Sequence, residues 1–403
     1  MGNKLRIAIV TPFGAEPRLD HFAEFILVKG LLALGHNARL YTYRRRDHEL
    51  YRRNLIYQSV PVFRCRQRAG LAPGLVISLL RFRPDCVLYF HPKSRLSFSA
   101  YLGAKLAGAK TISEIVGILH DPFLVGDTDD PVTTLRPKAK LLTSWGELVR
   151  ALFGSPSQSW QNFVVHMPVA KADVIVAINQ DEQEYIKKFY HRDSKLIHWA
   201  IPQATRPKTT KPEEKKYGRL PERFLLFIAQ VKKRKGWDTV LEALEILKNQ
   251  GTERNLVFVC PHQDVSEANT YARNLGVEAQ IYFLSGVSNE EKNWLYQNCD
   301  MVLAPSRYEG FGLPVFEALA AGKPALTTDL PVYQELLTHG SDALISGVGD
   351  SAALAANIKA LDGDPALAKQ LIQGGYQTVA KFTDELMVNK FVALIKSVLA
   401  KAD

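Results

Sequence analysis

The chain has little cysteine and no long apolar run. Its four cysteines, among 403 residues, are scattered and form no CxxC pair. This spacing argues against a disulfide framework or a cysteine zinc site and is typical of a reducing cytosol. No run reaches the roughly 18 apolar residues that a membrane-spanning helix needs. The apolar stretch at residues 5–10 is too short for the core of a signal peptide and predicts a first β-strand.

Acidic residues are in deficit, but only in one half of the chain. Residues 1–200 contain 28 Lys and Arg against 17 Asp and Glu, whereas residues 201–403 contain 23 against 24. We therefore expect the first half alone to meet an anionic partner. The length of the chain predicts two domains, each large enough to bury its own core.

Strand-like and helical segments alternate in two blocks. The first block has strand-like runs at residues 5–10, 38–43, 86–90 and 110–115, and the second begins at residue 224. Such alternation predicts an α/β fold with parallel sheets covered on both faces, whose strand ends meet at a ligand-binding cleft. Proline and charge dominate the segment between the blocks. We predict a first domain at 1–202, a linker at 203–222 and a second domain at 223–385.

One stretch of the second block joins a glycine loop to a short helix: Pro305-Ser-Arg-Tyr-Glu-Gly-Phe-Gly-Leu-Pro-Val-Phe-Glu317-Ala-Leu-Ala-Ala-Gly322. Pro314 suits the first helical turn and Gly322 suits a left-handed cap, so we predict a helix at 314–321. Gly310 and Gly312 let backbone amides approach an anion, phosphate above all, at the helix N-terminus. Glu317 is the only charge in this apolar helix and needs a partner.

Two interpretations are open for the carboxylates of this stretch. Glu317 either complements the helix dipole, or it acts with Glu309 to hold hydroxyl pairs on both sides of a bound diphosphate. The four cations at residues 232–235 follow the first strand of the second domain. They form either a solvated loop or, because ligands bind at such strand ends, a phosphate site that includes Arg234 and Lys235.

Three motifs in the second domain carry a family resemblance. They are Lys-Arg-Lys-Gly236, Phe283-Leu-Ser-Gly-Val-Ser-Asn-Glu-Glu-Lys-Asn-Trp-Leu-Tyr-Gln-Asn-Cys-Asp300, and residues 304–322 with two glutamates eight positions apart. Together they resemble the retaining glycosyltransferases of family 4, and most strongly the bacterial mannosyl- and rhamnosyltransferases of polysaccharide assembly. The resemblance is close over residues 224–361. It implies a GT-B fold of two doubly wound Rossmann-like domains facing a central cleft, with a last helix at 386–403 packing back on the first.

The resemblance also implies a donor site. It assigns Glu309 to the donor sugar, Glu317 to the ribose hydroxyls and Lys235 to the diphosphate. The further donor-binding residues that it implies are Gly14, Gln230, Arg234, Gly286, Val287, Gly310, Phe311, Gly312 and Leu313. Many relatives carry arginine where Gln230 stands, and Arg234 is its natural substitute. Cys260-Pro261 stands where relatives often have glycines, so the resemblance does not determine which nucleotide base the donor carries.

In the first domain, a strand ends in His120-Asp121 and resembles the segment that carries the active-site histidine of the family. The implied catalytic set is therefore His120, Glu309 and Lys235. His21 and Glu24 follow the loop that contains Gly14 and either reach the acceptor or are ordinary helix residues.

Asp127 and Asp129 form an Asp-x-Asp pair, which in the other large glycosyltransferase fold would hold a metal. The helix dipole and Lys235 can meet the phosphate charge instead, so we expect no metal site. We also expect no cofactor besides the nucleotide-sugar substrate.

Two segments of the first domain are candidates for contact with an anionic membrane. The first is rich in arginine, at positions 39, 44–46, 52, 53, 64, 66, 68, 81 and 83, with Ile56 and Tyr57 among the interleaved apolar residues. The second, residues 141–163, forms either a membrane contact, a lid over the acceptor or a buried helix. No nucleic-acid-binding module is recognisable. We expect a cytoplasmic protein, peripheral on the inner face of the plasma membrane.

The expected activity is retaining transfer of a hexose from a nucleoside-diphosphate sugar to a lipid-linked saccharide in the synthesis of cell-surface polysaccharide or glycolipid. Two alternatives remain at this stage. Gln230 and the reduced glycine loop favour a catalytically silent GT-B subunit that binds glycan or a partner transferase. A GT-B epimerase would act on the nucleotide-sugar itself.

Overall fold

The computed structural model describes residues 4–12, 22–43, 54–65, 71–90, 95–116, 139–201, 208–261 and 264–400. These residues divide into two compact units. Unit 1 contains the described residues up to 200 together with residues 384–400, and unit 2 contains residues 201–383. Each unit is an α/β layer structure with its own sheet.

The described part of unit 1 contains an eight-stranded sheet in the order β3-β4-β2-β1-β5-β6-β7-β8. Its elements are β1 (Arg6–Val10), α1 (Ala23–Ala33), β2 (Asn37–Tyr43), β3 (Leu55–Tyr57), β4 (Val60–Cys65), α2 (Pro73–Phe82), β5 (Cys86–Phe90), α3 (Arg95–Leu106), β6 (Lys110–Ile115), α4 (Trp145–Ala151), α5 (Pro156–Ala170), β7 (Val174–Ala177), α6 (Gln180–Tyr190) and β8 (Lys195–Leu196). The strand pairs are parallel except β3 and β4, which form an antiparallel hairpin. Gln58 and Ser59 adopt positive φ in its two-residue turn, as such tight hairpins require.

The described part of unit 2 contains a six-stranded, fully parallel sheet in the order β11-β10-β9-β12-β13-β14. Its elements, followed by the last helix of the chain, are α7 (Glu214–Tyr217), β9 (Leu225–Ile228), α8 (Trp237–Asn249), β10 (Leu256–Cys260), α9 (Ser266–Asn274), β11 (Ile281–Ser285), α10 (Asn289–Asn298), β12 (Met301–Ala304), α11 (Leu313–Ala320), β13 (Ala325–Thr328), α12 (Pro331–Leu336), β14 (Leu344–Ser346), α13 (Ser351–Gly363), α14 (Pro365–Val379) and α15 (Asp384–Ala400). The strand order reverses between β9 and β12. The C-terminal ends of these two strands are therefore the expected ligand site of this sheet.

The prediction of an α/β fold with parallel sheets is confirmed in both units. The strands are apolar because both faces of each sheet are covered by helices: β5, β10, β12 and β13 are buried throughout. The hairpin of β3 and β4 was not predicted. It lies in the arginine-rich segment, where charge hides the strand pattern.

The last helix, α15, packs within unit 1. It lies against α1, and Val388 occupies the space that a Cβ atom on Gly30 would fill. Residues 208–217 of the predicted linker, in contrast, lie against unit 2. Tyr217 donates a hydrogen bond to the carbonyl of Ser285 at 3.1 Å, and Lys216 donates one to the carbonyl of Gly286 at 3.2 Å. In the described residues, every helix is too short or too polar to cross a bilayer.

Candidate functional site

An ion pair between Lys235 and Glu309 lies at the switch point of the unit 2 sheet. Lys235 belongs to the loop after β9 and Glu309 to the loop after β12. Their Nζ and Oε1 atoms are 2.5 Å apart, and the two side chains are 16% and 10% exposed. The hydroxyl of Ser306 donates a second hydrogen bond to Glu309, at 2.8 Å. Two loops that are distant in sequence thus place a cation and a carboxylate together.

Glu309 is ionised in this arrangement. Burial alone would raise the pKa of its carboxyl group. The charge and hydrogen bond of Lys235, the Ser306 hydroxyl and the charge of Arg234 outweigh burial and hold the pKa below its ordinary value. An ionised carboxylate accepts hydrogen bonds only, so Glu309 is suited to bind hydroxyl groups.

The two loops are locked together by a second, structural ion pair. Arg307 donates two hydrogen bonds to Asp238 at 2.6 and 3.0 Å, and a third to the carbonyl of Lys233 at 2.7 Å. Burial acts to raise the pKa of Asp238, but Arg307 and Lys233 together lower it. The backbone amide of Arg307 also donates to the carbonyl of Arg234 at 2.7 Å. This network fixes the loop of Lys235 against the loop of Glu309.

Glycine is required at two points of the site. Gly236 has φ of +69°, and a Cβ atom there would overlap the carbonyl oxygen of Pro305. Gly312 has φ of +83°, and a Cβ atom there would overlap the buried ring of Tyr333. Left-handed backbone and missing side chains therefore allow the two loops and α12 to pack closely. The amides of residues 311–313 stand at the N-terminus of α11, which begins at Leu313.

Glu317 has the partner that its apolar helix requires. Lys292 of α10 donates to Oε1 at 2.7 Å, and the hydroxyl of Tyr296 donates to Oε2 at 2.8 Å. Burial, followed by the charge of Glu317, raises the pKa of Tyr296 well above its ordinary value, so its hydroxyl keeps the proton that it donates. The carboxylate is thus held in one orientation from the neighbouring helix.

Residues 209–378 match the family model for glycosyl transferases group 1. They form a glycosyltransferase group 1 domain. This domain contains Lys235, Glu309 and Glu317 with all their contacts described above. The chain has the GT-B fold, with one α/β sheet in each unit. When the strands of unit 2 are counted from β9 as the first, their order in the sheet is 3-2-1-4-5-6.

Similarity to known proteins extends beyond the group 1 domain. The chain is 29% identical to a Bacillus subtilis (strain 168) protein named as a glycosyltransferase, EpsD, over 59% of this chain and 64% of EpsD. It thus spans slightly less than two thirds of that relative. It is 26% identical to the lipopolysaccharide core biosynthesis mannosyltransferase LpsB of Rhizobium meliloti (strain 1021), over 85% of this chain and 93% of LpsB. The solved structure of Anabaena Alr3699/HepE in complex with UDP-glucose matches with a TM-score of 0.67 and 18% identity, over 97% and 99% of the two chains.

The structure separates the four consecutive cations that the sequence presented as one group. Lys232 is exposed. Lys233 pairs with Asp238 at 3.2 Å and lies over the ring of Trp237, 4.8 Å from its centroid. Arg234 is half-buried, and only Lys235 reaches Glu309. The interpretation as a solvated loop therefore applies to Lys232, and the interpretation as an anion site applies to Lys235.

The other predicted residues of unit 2 lie around this site with different exposure. Gly286 has φ of +64° and is exposed after β11, with Val287 half-buried beside it, and Gln230 is half-buried after β9. Phe311 is buried and stacks on Phe316 with ring centroids 4.9 Å apart. Its side chain therefore supports the loop, while Gly310 and Leu313 are half-buried.

Several residues that were predicted for the first domain lie outside the described residues, namely Gly14, His21, His120, Asp121, Asp127, Asp129 and the arginines at 44–46, 52, 53, 66 and 68. Glu24 is buried and accepts a hydrogen bond from the Thr11 hydroxyl at 2.9 Å. Arg39 lies between the rings of Phe63 and Phe82, and Arg64 is buried. Glu24, Arg39 and Arg64 thus contribute to the interior of unit 1. Within the described ranges, no three His, Cys, Asp or Glu side chains converge as a metal site.

Sequence reasoning missed the residues that hold the site in place, which are Asp238, Lys292, Tyr296, Ser306, Arg307 and Tyr333. For Lys292 and Tyr296 a signal was available. They are four positions apart, so on α10 they share one face and can meet one carboxylate, the partner that Glu317 needed. Asp238 and Arg307 are 69 positions apart and gave no such signal.

Replacing Lys292 with methionine should destabilise unit 2 by about 1–2 kcal/mol, because Glu317 would keep its charge and lose its cation in a site that is 14% exposed. The estimate is reduced for the 22% exposure of Lys292. Urea unfolding would measure the change. Lys369→Met, at an exposed position of α14, is the matched control and should change little. Equal stability of the two variants would contradict a stabilising ion pair.

Proposed function

We propose that the chain is a retaining hexosyltransferase, which moves a hexose from a nucleoside-diphosphate sugar to a hydroxyl of a saccharide acceptor. The observation that carries this proposal is the Lys235–Glu309 pair at the switch point of unit 2. The pair offers an ammonium group for a diphosphate and a carboxylate for sugar hydroxyls. The name of LpsB and the UDP-glucose complex of HepE support this class of substrate.

In this proposal the diphosphate meets positive charge from three sources. Lys235 has three N–H donors, so it can keep Glu309 while it also binds a phosphate oxygen. Arg234 substitutes for the arginine that many relatives carry at the position of Gln230. The third source is the N-terminus of α11, where the backbone amides of Phe311 and Leu313 point to the phosphate. The glycines that flank Phe311 let the phosphate approach these amides. No metal ion is needed for this charge.

The nucleoside and the sugar would occupy opposite sides of the diphosphate. Glu317, held by Lys292 and Tyr296, would accept hydrogen bonds from the ribose hydroxyls. Gly286 and Val287 would border the base. Glu309 would bind hydroxyls of the hexose, with His120 orienting the same sugar, and Gly14 would lie near the diphosphate and the acceptor.

The reaction that we propose is a front-face displacement. The bond between the anomeric carbon and the diphosphate oxygen breaks, and the acceptor oxygen forms its bond on the same face, so the anomeric configuration is retained. The acceptor hydroxyl gives its proton to the departing phosphate oxygen. Lys235, Arg234 and the dipole of α11 stabilise the charge on that leaving group, and such stabilisation is usually the largest contribution to catalysis.

We further propose that the acceptor is lipid-linked and belongs to cell-surface polysaccharide or glycolipid synthesis. The name of LpsB, a lipopolysaccharide core biosynthesis enzyme, supports this, as does the basic excess of residues 1–200. The arginine-rich segment would meet anionic lipid on the cytoplasmic face of the plasma membrane. Within that segment Ile56 is 76% exposed, as such a contact requires.

A comparison of two lysines from one loop tests the donor site. UDP-, GDP-, ADP- and dTDP-sugars would be screened by thermal shift, because a bound donor stabilises the folded state. Transfer of the stabilising sugar to lipid-linked acceptors would then be measured. Lys235→Gln should lower transfer by about 10²–10³-fold, as the loss of a charge-stabilising group does. The exposed Lys232→Gln is the matched control and should match the wild type.

Three results would reject the proposal. Equal rates of transfer by Lys235→Gln and Lys232→Gln would reject the assignment of Lys235 to the donor site. Donor binding without turnover on a broad acceptor panel would favour the silent GT-B subunit, and isomerisation of the donor in the absence of acceptor would favour an epimerase.

A further inference from the structure

The short helix α7 is fastened to the C-terminal end of β11, next to the loop that borders the base in the proposed donor site. The amide of Thr210, before the helix, donates a hydrogen bond to the carbonyl of Glu290 at 3.1 Å. The hydroxyl of Tyr217, at the end of the helix, donates to the carbonyl of Ser285 at 3.1 Å. All four residues belong to unit 2. The segment predicted as a linker therefore forms part of the surface of unit 2 beside this loop.

The loop has a fixed backbone. Residues 286–288 join β11 to α10, and Ser288 begins α10 with a capping box. Its hydroxyl accepts from the amide of Glu291 at 3.1 Å, and the carboxylate of Glu291 accepts from the amide of Ser288 at 2.8 Å. The same helix carries the two side chains that orient Glu317. The carbonyl of Gly286 is therefore held in place relative to the carboxylate proposed for the ribose.

Lys216 of α7 lies on the side of Gly286 where a side chain would be. Its ammonium group donates to the carbonyl of Gly286 at 3.2 Å and lies 3.8 Å from the position of a Cβ atom on that glycine. It also lies over the ring of Tyr217, 4.6 Å from the centroid, and this contact restricts an otherwise exposed side chain. Gly286 is exposed, so a base can approach its backbone. The helix thus supplies the loop with a cation that Gly286 itself lacks.

The ammonium group and the carbonyl form a neighbouring donor and acceptor. The ammonium group has three N–H donors and uses one on the carbonyl, whose oxygen has a second lone pair. Uracil, thymine and guanine present the complement, a ring N–H beside a carbonyl oxygen. Cytosine and adenine present a ring nitrogen acceptor beside an amino group, which reverses the pattern. With either of these two bases, a donor would face a donor and an acceptor would face an acceptor.

We infer that Lys216 and the carbonyl of Gly286 select a donor whose base has a ring N–H beside a carbonyl oxygen, namely uracil, thymine or guanine. The inference rests on the proposed function, in which Gly286 and Val287 border the base. Lys216 is then a specificity-determining residue, and its effect is separate from the contact of Lys235 with the diphosphate. The structure thereby narrows the choice of base, which the sequence resemblance did not determine.

Two pairs of nucleotides that differ only at this edge of the base test the inference. UDP and CDP share the ribose, the diphosphate and a pyrimidine ring, and inosine diphosphate and ADP form the corresponding purine pair. Calorimetry on the whole chain would give the four dissociation constants. In the pair that binds more tightly, UDP or inosine diphosphate should bind about tenfold more tightly than its amino counterpart. This is a small ratio for such a readout, because Lys216 is exposed.

Three variants separate base selection from diphosphate binding. Lys216→Met should reduce the ratio to about threefold, because the N–H donor is lost while the carbonyl of Gly286 remains. Lys215→Met is the matched control: it makes the same change of charge at an exposed position of the same helix and should keep the tenfold ratio. Lys235→Gln should weaken both members of a pair equally, because they share the diphosphate.

The outcomes distinguish this inference from the proposed function. If CDP and ADP bound as tightly as their partners, or more tightly, nucleotides would still bind but the inference would be wrong. An unchanged ratio in Lys216→Met, even with lower affinity for every nucleotide, would give Lys216 a structural role only and would also overturn it. If none of the four nucleotides bound, the proposed function would be rejected together with this inference.

Discussion

Glu309→Gln should lower sugar transfer by about 10²–10³-fold, the cost of removing one preorganised charge from an active site. Glutamine has the same shape, so it can keep a hydrogen bond with Ser306. It does not carry the charge that Lys235 needs, and a neutral amide would release Lys235 from its 2.5 Å contact. The charges of the site, rather than its shape, would therefore be disturbed. Initial rates at saturating donor would measure this effect.

Glu253→Gln is the matched control for this variant. Glu253 is exposed in the loop before β10, near the N-terminal end of that strand, whereas the site lies at the C-terminal ends of the strands. The same change of charge should therefore leave transfer within about twofold. Calorimetry would show whether the donor still binds to Glu309→Gln. If the two variants transferred sugar at the same rate, Glu309 would have no part in the reaction.

The pH dependence gives an independent check on the ion pair. The folded-state pKa of Glu309 lies below its unfolded value, so its ionised form stabilises the fold above the unfolded pKa. That contribution is lost as the pH falls through the folded pKa. In Lys235→Met, burial would no longer be opposed by the neighbouring lysine, and the pKa of Glu309 should rise. The acid limb of stability should therefore begin at a higher pH in this variant than in the wild type.

The sequence was sufficient for the architecture because the strands of both units are buried on two faces. A run such as Leu256–Cys260 can be apolar throughout only if helices cover both sides of its sheet. The cap at Gly322, with φ of +70°, was also predictable from local chemistry, and the helix before it begins one residue earlier than expected. These features depend on a few neighbouring residues and on no distant contact.

The supports of the candidate site depend on distant contacts and could not be predicted in the same way. Which of four adjacent cations meets Glu309 is decided by the turn at residues 233–235, which directs Lys233 toward Asp238 and Lys235 toward Glu309. No sequence pattern assigned a role to Arg307, yet its side chain joins the two loops. The hairpin of β3 and β4 was hidden for a similar reason, because its pairing depends on β2 rather than on its own charged sequence.

Gly236→Ala should destabilise unit 2 by about 3 kcal/mol, the sum of left-handed backbone strain and overpacking in a closely packed site. Alanine at φ of +69° is strained, and its Cβ atom would overlap the carbonyl of Pro305. The loop must move to relieve this overlap, and it would take Lys235 away from Glu309. A displacement of about 1 Å can cost 10²-fold in rate, so transfer should fall even at temperatures where the variant is folded.

Gly251→Ala isolates the second of these two effects. Gly251 has a similar φ, +77°, but a Cβ atom there would meet no other atom within 4 Å. It should therefore show only the backbone strain, about 1–2 kcal/mol, with normal transfer and donor binding. Urea unfolding and initial rates of both variants would separate strain from collision. If Gly251→Ala lost as much activity as Gly236→Ala, the close packing of residue 236 on residue 305 could not be what aligns Lys235 with Glu309.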